Sequence, residues 1–72
     1  MTNALIQKAI DAVGGQTALA RRCNKKQGHV WHWLHSERVS AEAAVLIDIA
    51  TGGAVPRSEL RPDIFFTSEA NQ

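Results

Sequence analysis

Three histidines recur at every third position of one short segment, as His29, His32 and His35, and imidazoles can bind metal ions or donate hydrogen bonds. Neighbouring pairs could chelate a metal ion, but no third or fourth ligand is evident, and zinc sites need a fixed tetrahedral set. Cys23 is the single cysteine, whereas a cysteine-based metal site needs at least two. We therefore expect no metal site and no cofactor, and histidines that face solvent or a bound nucleic acid.

Basic side chains are concentrated in the same part of the chain. Residues 21–38 hold five lysines or arginines against one glutamate, a net charge of +4, whereas residues 39–72 hold two arginines against five acidic side chains, a net charge of −3. A local basic patch is typical of nucleic-acid binders. An ordinary solvated face is also charged, so charge by itself does not separate the two interpretations.

Several function classes lack their motifs in this sequence. There is no glycine-rich phosphate loop, no Gly-x-Ser-x-Gly turn and no pair of carboxylates on one predicted face, so we do not expect an enzyme. The longest apolar run covers residues 43–47, and the N-terminus lacks the charged start and long apolar core of a signal peptide. These features predict a cytoplasmic protein with no membrane segment. The lone Cys23 suits a reducing compartment, and we expect it to be buried.

The elements that must position these residues are helices, because apolar residues recur with helical spacing. The predicted helices cover residues 5–13, 16–23, 26–35, 41–50 and 56–60. Thr2 or Asn3 would cap the first helix and Ser40 the fourth, while Asn24 suits a left-handed turn between the second and third. The fourth helix is apolar nearly all round and is expected to be central.

A chain of 72 residues forms one domain. We predict an all-α, five-helix domain over residues 1–66, followed by a flexible C-terminal tail over residues 67–72. Pro56 suits the first position of the last helix, and Pro62 prevents that helix from continuing. A short extended segment at residues 63–67 would be the one departure from helical structure.

The third helix has two different faces. Val30, Trp33 and Leu34 share one side, and their composition is that of a core. Trp31 lies two positions from Trp33, about 200° around the axis, so the two indoles cannot both be buried. The other side carries Gly28, Trp31, His32 and His35, where an ordinary solvated face would more often carry Lys, Glu or Gln. A mixed face of this kind suits a surface that reads DNA.

An α-helix fits the major groove, where base edges present distinct donors and acceptors. Gln27 could bond bidentately to adenine, Gly28 would permit close approach, and His32 could donate to guanine. Trp31 could pack on thymine methyls or on sugar and phosphate. It could also anchor a dimer or another protein, since exposed tryptophans are frequent interface anchors.

Four segments of the sequence form a recognisable pattern. They are residues 14–21 (GGQTALAR), Val30-x-x-Trp33-Leu34, residues 51–55 (TGGAV) and residues 58–63 (SELRPD). In these segments the sequence resembles the lambda-repressor-like helix-turn-helix proteins, and within them the Cro family and the related YdaS-like prophage antitoxins. The likeness extends from about Leu5 to Phe65.

The resemblance implies a five-helix domain in which helices two and three form the DNA-binding unit. It implies a Cro-like repressor that binds a pseudo-palindromic double-stranded operator as a homodimer. The positions that match base contacts are Gln27, Gly28, Trp31 and His32. Taking the resemblance and the charges together, the candidate phosphate contacts are Gln16, Thr17, Arg22, Lys25, Lys26, His35 and Arg38.

The sequence departs from the family pattern at three positions. Asn24 stands where a turn glycine is usual, Lys26 stands where a capping Ser or Thr is frequent, and Trp31 stands where a small or polar residue is usual. The docking mode implied by the family is therefore transferable to this chain, whereas its base code is not.

The self-association surface and a second function are open at this point. Ile64, Phe65 and Phe66 are the candidates for a dimer contact, because a domain this small has little core in which to hide two phenylalanines. The alternative function is that of an antitoxin or anti-repressor, which would bind a toxin or another protein through Trp31 and the segment 64–66.

Overall fold

The computed structural model describes residues 2–65, and within that range the chain is all α-helical, as predicted. Five helices follow one another along the chain. They are α1 (Ala4–Val13), α2 (Gln16–Arg22), α3 (Gln27–Leu34), α4 (Ala41–Ala50) and α5 (Arg57–Leu60).

Helix α1 begins at a side-chain cap that also fixes the end of α3. The side-chain oxygen of Asn3 accepts hydrogen bonds from the backbone N–H groups of Leu5 and Ile6, at 3.1 and 3.2 Å. The Asn3 amide nitrogen donates to the carbonyl of Ser36 at 3.1 Å, and its backbone N–H donates to Leu34 at 2.7 Å. One asparagine therefore caps α1 and ties it to the chain leaving α3.

Helices α2 and α3 are joined by a tight left-handed turn. Asn24 has a φ of 59°, which confirms the turn predicted at this residue, and asparagine tolerates that conformation better than most non-glycine residues. The backbone N–H of Lys25 donates to the carbonyl of Ala20 at 2.8 Å and closes the turn. This connection sets the angle at which α3 leaves α2.

The core is a single apolar cluster to which all five helices contribute. Its largest fully buried side chains are Ile6, Leu19, Val30, Ile47 and Val55. Cys23 is buried, as predicted, and burial raises the pKa of its thiol while the charge of Lys25 opposes that shift. The thiol is therefore a packing group and not an ionised nucleophile.

The segment after α5 is folded back onto the domain by Arg61. Its guanidinium makes two hydrogen bonds to the carboxylate of Asp63, at 3.0 and 2.8 Å, and a third to the carbonyl of Val39 at 3.0 Å. Arg57 likewise donates to Asp48 on α4 through its backbone N–H and its Nε. Two arginines thus hold the last described residues against α4 and the loop before it.

Three expectations about the fold are corrected. Pro56 is the N-cap of α5 and not its first helical residue. Residues 62–64 form a turn, with the N–H of Ile64 and of Phe65 bonded to the Arg61 carbonyl, where the start of the extended segment 63–67 was expected; residues 66 and 67 lie outside the described residues. Ile49, on the helix predicted to be central, is 67% exposed, because α4 is covered on only part of its circumference.

No helix among residues 2–65 is long and apolar enough to cross a membrane. The boundary predicted at residue 66 and the tail over residues 67–72 lie outside the described residues.

Candidate nucleic-acid interface

Helix α3 is held in the domain by one side and leaves the opposite side open. Val30 and Leu34 are buried, and Trp33 packs half-buried against the core. At 3.6 residues per turn, Gly28 lies at the middle of the opposite side, flanked by Trp31 and His32. Those three residues and Gln27 are exposed. The two faces predicted for this helix are therefore both present.

The aromatic groups on the outward face contact one another. The indole of Trp31 packs on the imidazole of His35, with ring centroids 4.3 Å apart and planes tilted by 42°. It meets His32 edge to face at 5.6 Å. Trp31 is 51% exposed, so these contacts orient the ring without covering it. The outward face thus presents an oriented apolar surface among polar groups.

Helices α2 and α3 begin without side-chain caps, in contrast to α1 and α4. Gly15 and Lys26 occupy the N-cap positions of α2 and α3 and make no capping side-chain hydrogen bond. Asn3 and Ser40 cap α1 and α4 through their side chains. The first N–H groups of a helix can bind an anion when no side chain occupies them.

Four of the seven predicted phosphate contacts lie at the starts of these two helices. Gln16 and Thr17 open α2, and Lys25 and Lys26 precede α3. Thr17 and Lys26 are exposed, whereas Gln16 and Lys25 are partly covered. Lys25 lines a small groove with Glu42 of α4, so it is partly directed toward α4.

The other three candidate phosphate contacts have different neighbours in the structure. Arg22 donates to the carbonyl of Ala50 at 3.5 Å, which directs its guanidinium to the end of α4. The Nη1 of exposed Arg38 lies 3.6 Å from the Oδ2 of Asp63, and an exposed ion pair of this kind contributes little to stability. His35 is exposed at the end of α3, beside Ser36 and the start of α1. Each of these three side chains therefore lies beside a different part of the fold.

Sequence reasoning missed two exposed residues, Arg21 and Ile49, as candidate contact residues. Arg21 is exposed and lies one turn after Thr17, on the same side of α2. The i, i+4 spacing of Arg21 and Thr17 is visible in the sequence. The adjacent Arg22 carries the same charge, however, so the sequence alone did not single out Arg21. The exposed side chain of Ile49 had no such signal, because its helix is apolar in nearly every direction.

The three dimer candidates differ in what the structure says of them. Ile64 is 43% exposed. Phe65 is partly buried, packs against the core and lies under the guanidinium of Arg57 at 5.8 Å from ring centroid to Cζ. Phe66 lies outside the described residues. Ile64 is therefore the candidate with an open apolar side chain.

Metal binding by the histidines finds no geometric support in the described chain. Among residues 2–65 no group of three or more His, Cys, Asp or Glu side chains could hold a metal ion. His32 and His35 instead contact Trp31, while His29 lines the groove that contains Lys25 and Trp33.

Comparison with known proteins agrees with this architecture. The Cro protein from an element of Xylella fastidiosa strain Ann-1 that is described as a prophage has the same fold, with a TM-score of 0.80 and 38% sequence identity over 88% of this chain and 97% of that one. No curated protein matches the chain. The model of the family described as bacterial toxin YdaS matches residues 6–69. The chain belongs to the YdaS family and has the fold of a Cro protein.

Proposed function

We propose that this protein is a sequence-specific, double-stranded DNA-binding regulator, a Cro-like repressor that binds a pseudo-palindromic operator as a homodimer in the bacterial cytoplasm. The observation that carries the proposal is the outward face of α3. Gln27, Gly28, Trp31 and His32 are all exposed, while Val30 and Leu34 anchor the helix from behind. A helix presented in this way can enter the major groove and contact base edges.

The base-facing roles follow from the chemistry of each side chain. Gln27 has an amide that can pair with adenine, and His32 has a ring nitrogen that can donate to guanine. Gly28 adds no side chain between the helix and the bases. The likeness to a protein named Cro supports the regulatory part of the proposal.

The phosphate-facing roles follow from charge and from the uncapped helix ends. Gln16 and Thr17 would bind phosphate beside the first N–H groups of α2, and Lys26 would do so beside those of α3. Arg22, Lys25, His35 and Arg38 would add contacts further along the backbone. The weak ion pair of Arg38 with Asp63 would exchange for a phosphate at small cost.

A gel-shift experiment on the DNA upstream of the protein's own gene tests the proposal. The combined variant Arg22→Ala, Gln27→Ala, His32→Ala is expected to bind at least about 30-fold more weakly, because the two lost base contacts, those of Gln27 and His32, cost about 1–3 kcal/mol each. The matched control Lys8→Ala, His29→Ala also removes one positive charge and one imidazole, and is expected to change affinity by less than about threefold. Unchanged binding by the triple variant would refute the proposal.

A second candidate function is binding of a toxin or other protein, as an antitoxin or anti-repressor. The half-exposed Trp31 favours it, because such a side chain can anchor a protein interface. The matched family is described as a toxin, which is compatible with action on another protein. A pull-down retained in Lys25→Glu, Lys26→Glu but lost in Trp31→Ala would support this candidate over DNA binding.

A further inference from the structure

Gly28 lies where the fold itself does not require a glycine. It lies within α3, and it is absent from the positive-φ glycines, which are Gly14, Gly15, Gly52 and Gly53. A Cβ placed on Gly28 would meet no atom within 4 Å. Alanine would therefore fit this position and favour the helix more strongly than glycine does. The missing side chain matters only to something that approaches α3 from outside.

Trp31 is the exposed aromatic residue nearest to Gly28 in sequence on that side of the helix. It is one turn after Gly28 on the same side, and its ring is oriented by His35 and His32 of its own helix. An oriented aromatic ring loses little conformational freedom on binding. We call the exposed backbone at Gly28 and the exposed indole of Trp31, which are i, i+3 neighbours on one side of α3, the notch.

The chemistry of the notch matches a single group in the major groove. An indole offers one N–H donor and is otherwise apolar. The base edges in the major groove are hydrogen-bond donors and acceptors, with one apolar exception, the C5-methyl group of thymine. We infer that Gly28 and Trp31 read one thymine in each operator half-site by enclosing its C5-methyl group. This inference rests on the proposed DNA-binding function and names the base that the notch selects.

The surroundings of the notch favour DNA over a protein as its occupant. Helix α3 carries no acidic residue, and Lys25 and Lys26 precede it. Residues 21–38 have a net charge of +4, from five basic side chains and Glu37. An apolar notch within a basic, hydrogen-bonding face is complementary to a methyl group flanked by phosphates and base edges.

The test removes the methyl group without changing any hydrogen bond. A duplex is selected from a random pool by the wild-type protein, and each thymine is replaced in turn by deoxyuridine, which pairs identically. Affinity is measured by fluorescence anisotropy for the wild-type chain, Trp31→Ala, Gly28→Ala and the control His29→Ala. Circular dichroism confirms that each variant is folded.

The wild-type chain and His29→Ala are expected to bind about fourfold more weakly when one particular thymine of a half-site is replaced, as burial of one methyl predicts. In Trp31→Ala, the ratio of affinities for the thymine and deoxyuridine duplexes should be near one at that position. In Gly28→Ala, the added methyl fills the notch, so the ratio should fall to one or below.

The outcomes separate this inference from the proposed function. Two results would contradict thymine reading by the notch while the proposed DNA-binding function stands. One is sequence-selective binding in which no thymine is sensitive to replacement, and the other is a loss of affinity on replacement that Trp31→Ala still shows. Failure to enrich any sequence overturns both. Trp31→Ala could also enrich the same DNA sequence with the same affinity as the wild-type chain and yet lose a protein partner. That result would overturn the inference and assign Trp31 to a protein interface.

Discussion

Trp31 and Trp33 have the same side chain and opposite surroundings, because two positions along a helix turn a residue about 200° around its axis. Trp33 packs against the core, and Trp31 stands half-exposed against two imidazoles. That division could be predicted from the apolar spacing of Val30 and Leu34. The contacts of Trp31 with His32 and His35 could not, because helical spacing fixes which residues are neighbours and not how their rings pack.

Substitutions at adjacent residues should separate base reading from phosphate binding. Gln27→Ala is expected to lower affinity for the operator by about 1–3 kcal/mol and to relax the preference for one base pair. Lys26→Ala should weaken binding to all duplexes by similar amounts and reduce the slope of log affinity against log salt by about one. Titrations at several salt concentrations with operator and unrelated duplexes check both. Equal losses on both duplexes for Gln27→Ala would contradict a base contact.

The carboxylate of Asp63 should make the fold sensitive to acid. Hydrogen bonds from Arg61 hold the pKa of Asp63 at about 2, below its ordinary value of 3.8. A lowered folded-state pKa stabilises the fold above pH 4, and this contribution is lost as the pH falls toward 2. The melting temperature of the wild-type chain should therefore fall over this range. In Asp63→Asn the decrease should be smaller, and an equal decrease would exclude Asp63 as a source.

At the scale of elements, the predicted bounds of all five helices agree with the structure to within one residue at both ends. The cap Ser40 was predicted, and Asn3 was one of two predicted alternatives with Thr2, from side chains that accept backbone hydrogen bonds. Arg22 at the end of α2 illustrates the limit, since its reach to the Ala50 carbonyl depends on how α2 and α4 pack. Long flexible side chains take partners from neighbouring elements, and local sequence does not specify them.

The two capped helices offer a comparison of stabilities. Ser40→Ala removes one capping hydrogen bond on α4, and about 1 kcal/mol of unfolding free energy should be lost. Asn3→Ala removes two capping bonds and the bond to the Ser36 carbonyl, so a loss of about 2 kcal/mol is expected. Urea unfolding followed by circular dichroism measures both. A smaller loss for Asn3→Ala than for Ser40→Ala would show that the tie to α3 contributes little.

At the scale of the whole molecule, charge and apolar exposure lie in different parts of the chain. The basic residues cluster over positions 21–38. Of the three exposed large apolar side chains among residues 2–65, two, Ile49 and Ile64, lie in the acidic part of the chain after residue 38. A protein that binds DNA through one surface and a second copy through another would show such a separation. The all-α architecture followed from the sequence, whereas the exposure of Ile49 required knowledge of how α4 is covered.

The dimer contact proposed at Ile64 can be tested with Ile49 as the control, because both isoleucines are exposed. Ile64→Ser is expected to shift sedimentation toward the monomer and to weaken operator binding by about tenfold or more, because a symmetric operator is bound by two linked copies. Ile49→Ser, which also removes an exposed isoleucine, should leave both properties unchanged. If Ile49→Ser alone disrupts the dimer, α4 and not the segment after α5 forms the contact.

The central claim is that the outward face of α3 contacts DNA. The two tryptophans of α3, one on each side of the helix, provide the most direct measurement. The indole N–H resonances of Trp31 and Trp33 can be assigned with Trp31→Phe and Trp33→Phe and followed by NMR during titration with the selected duplex. We expect the Trp31 resonance to shift strongly, together with the amides of residues 27, 28 and 32, while the Trp33 resonance moves little. A stationary Trp31 resonance, with the largest changes in α4 or α5, would contradict the claim.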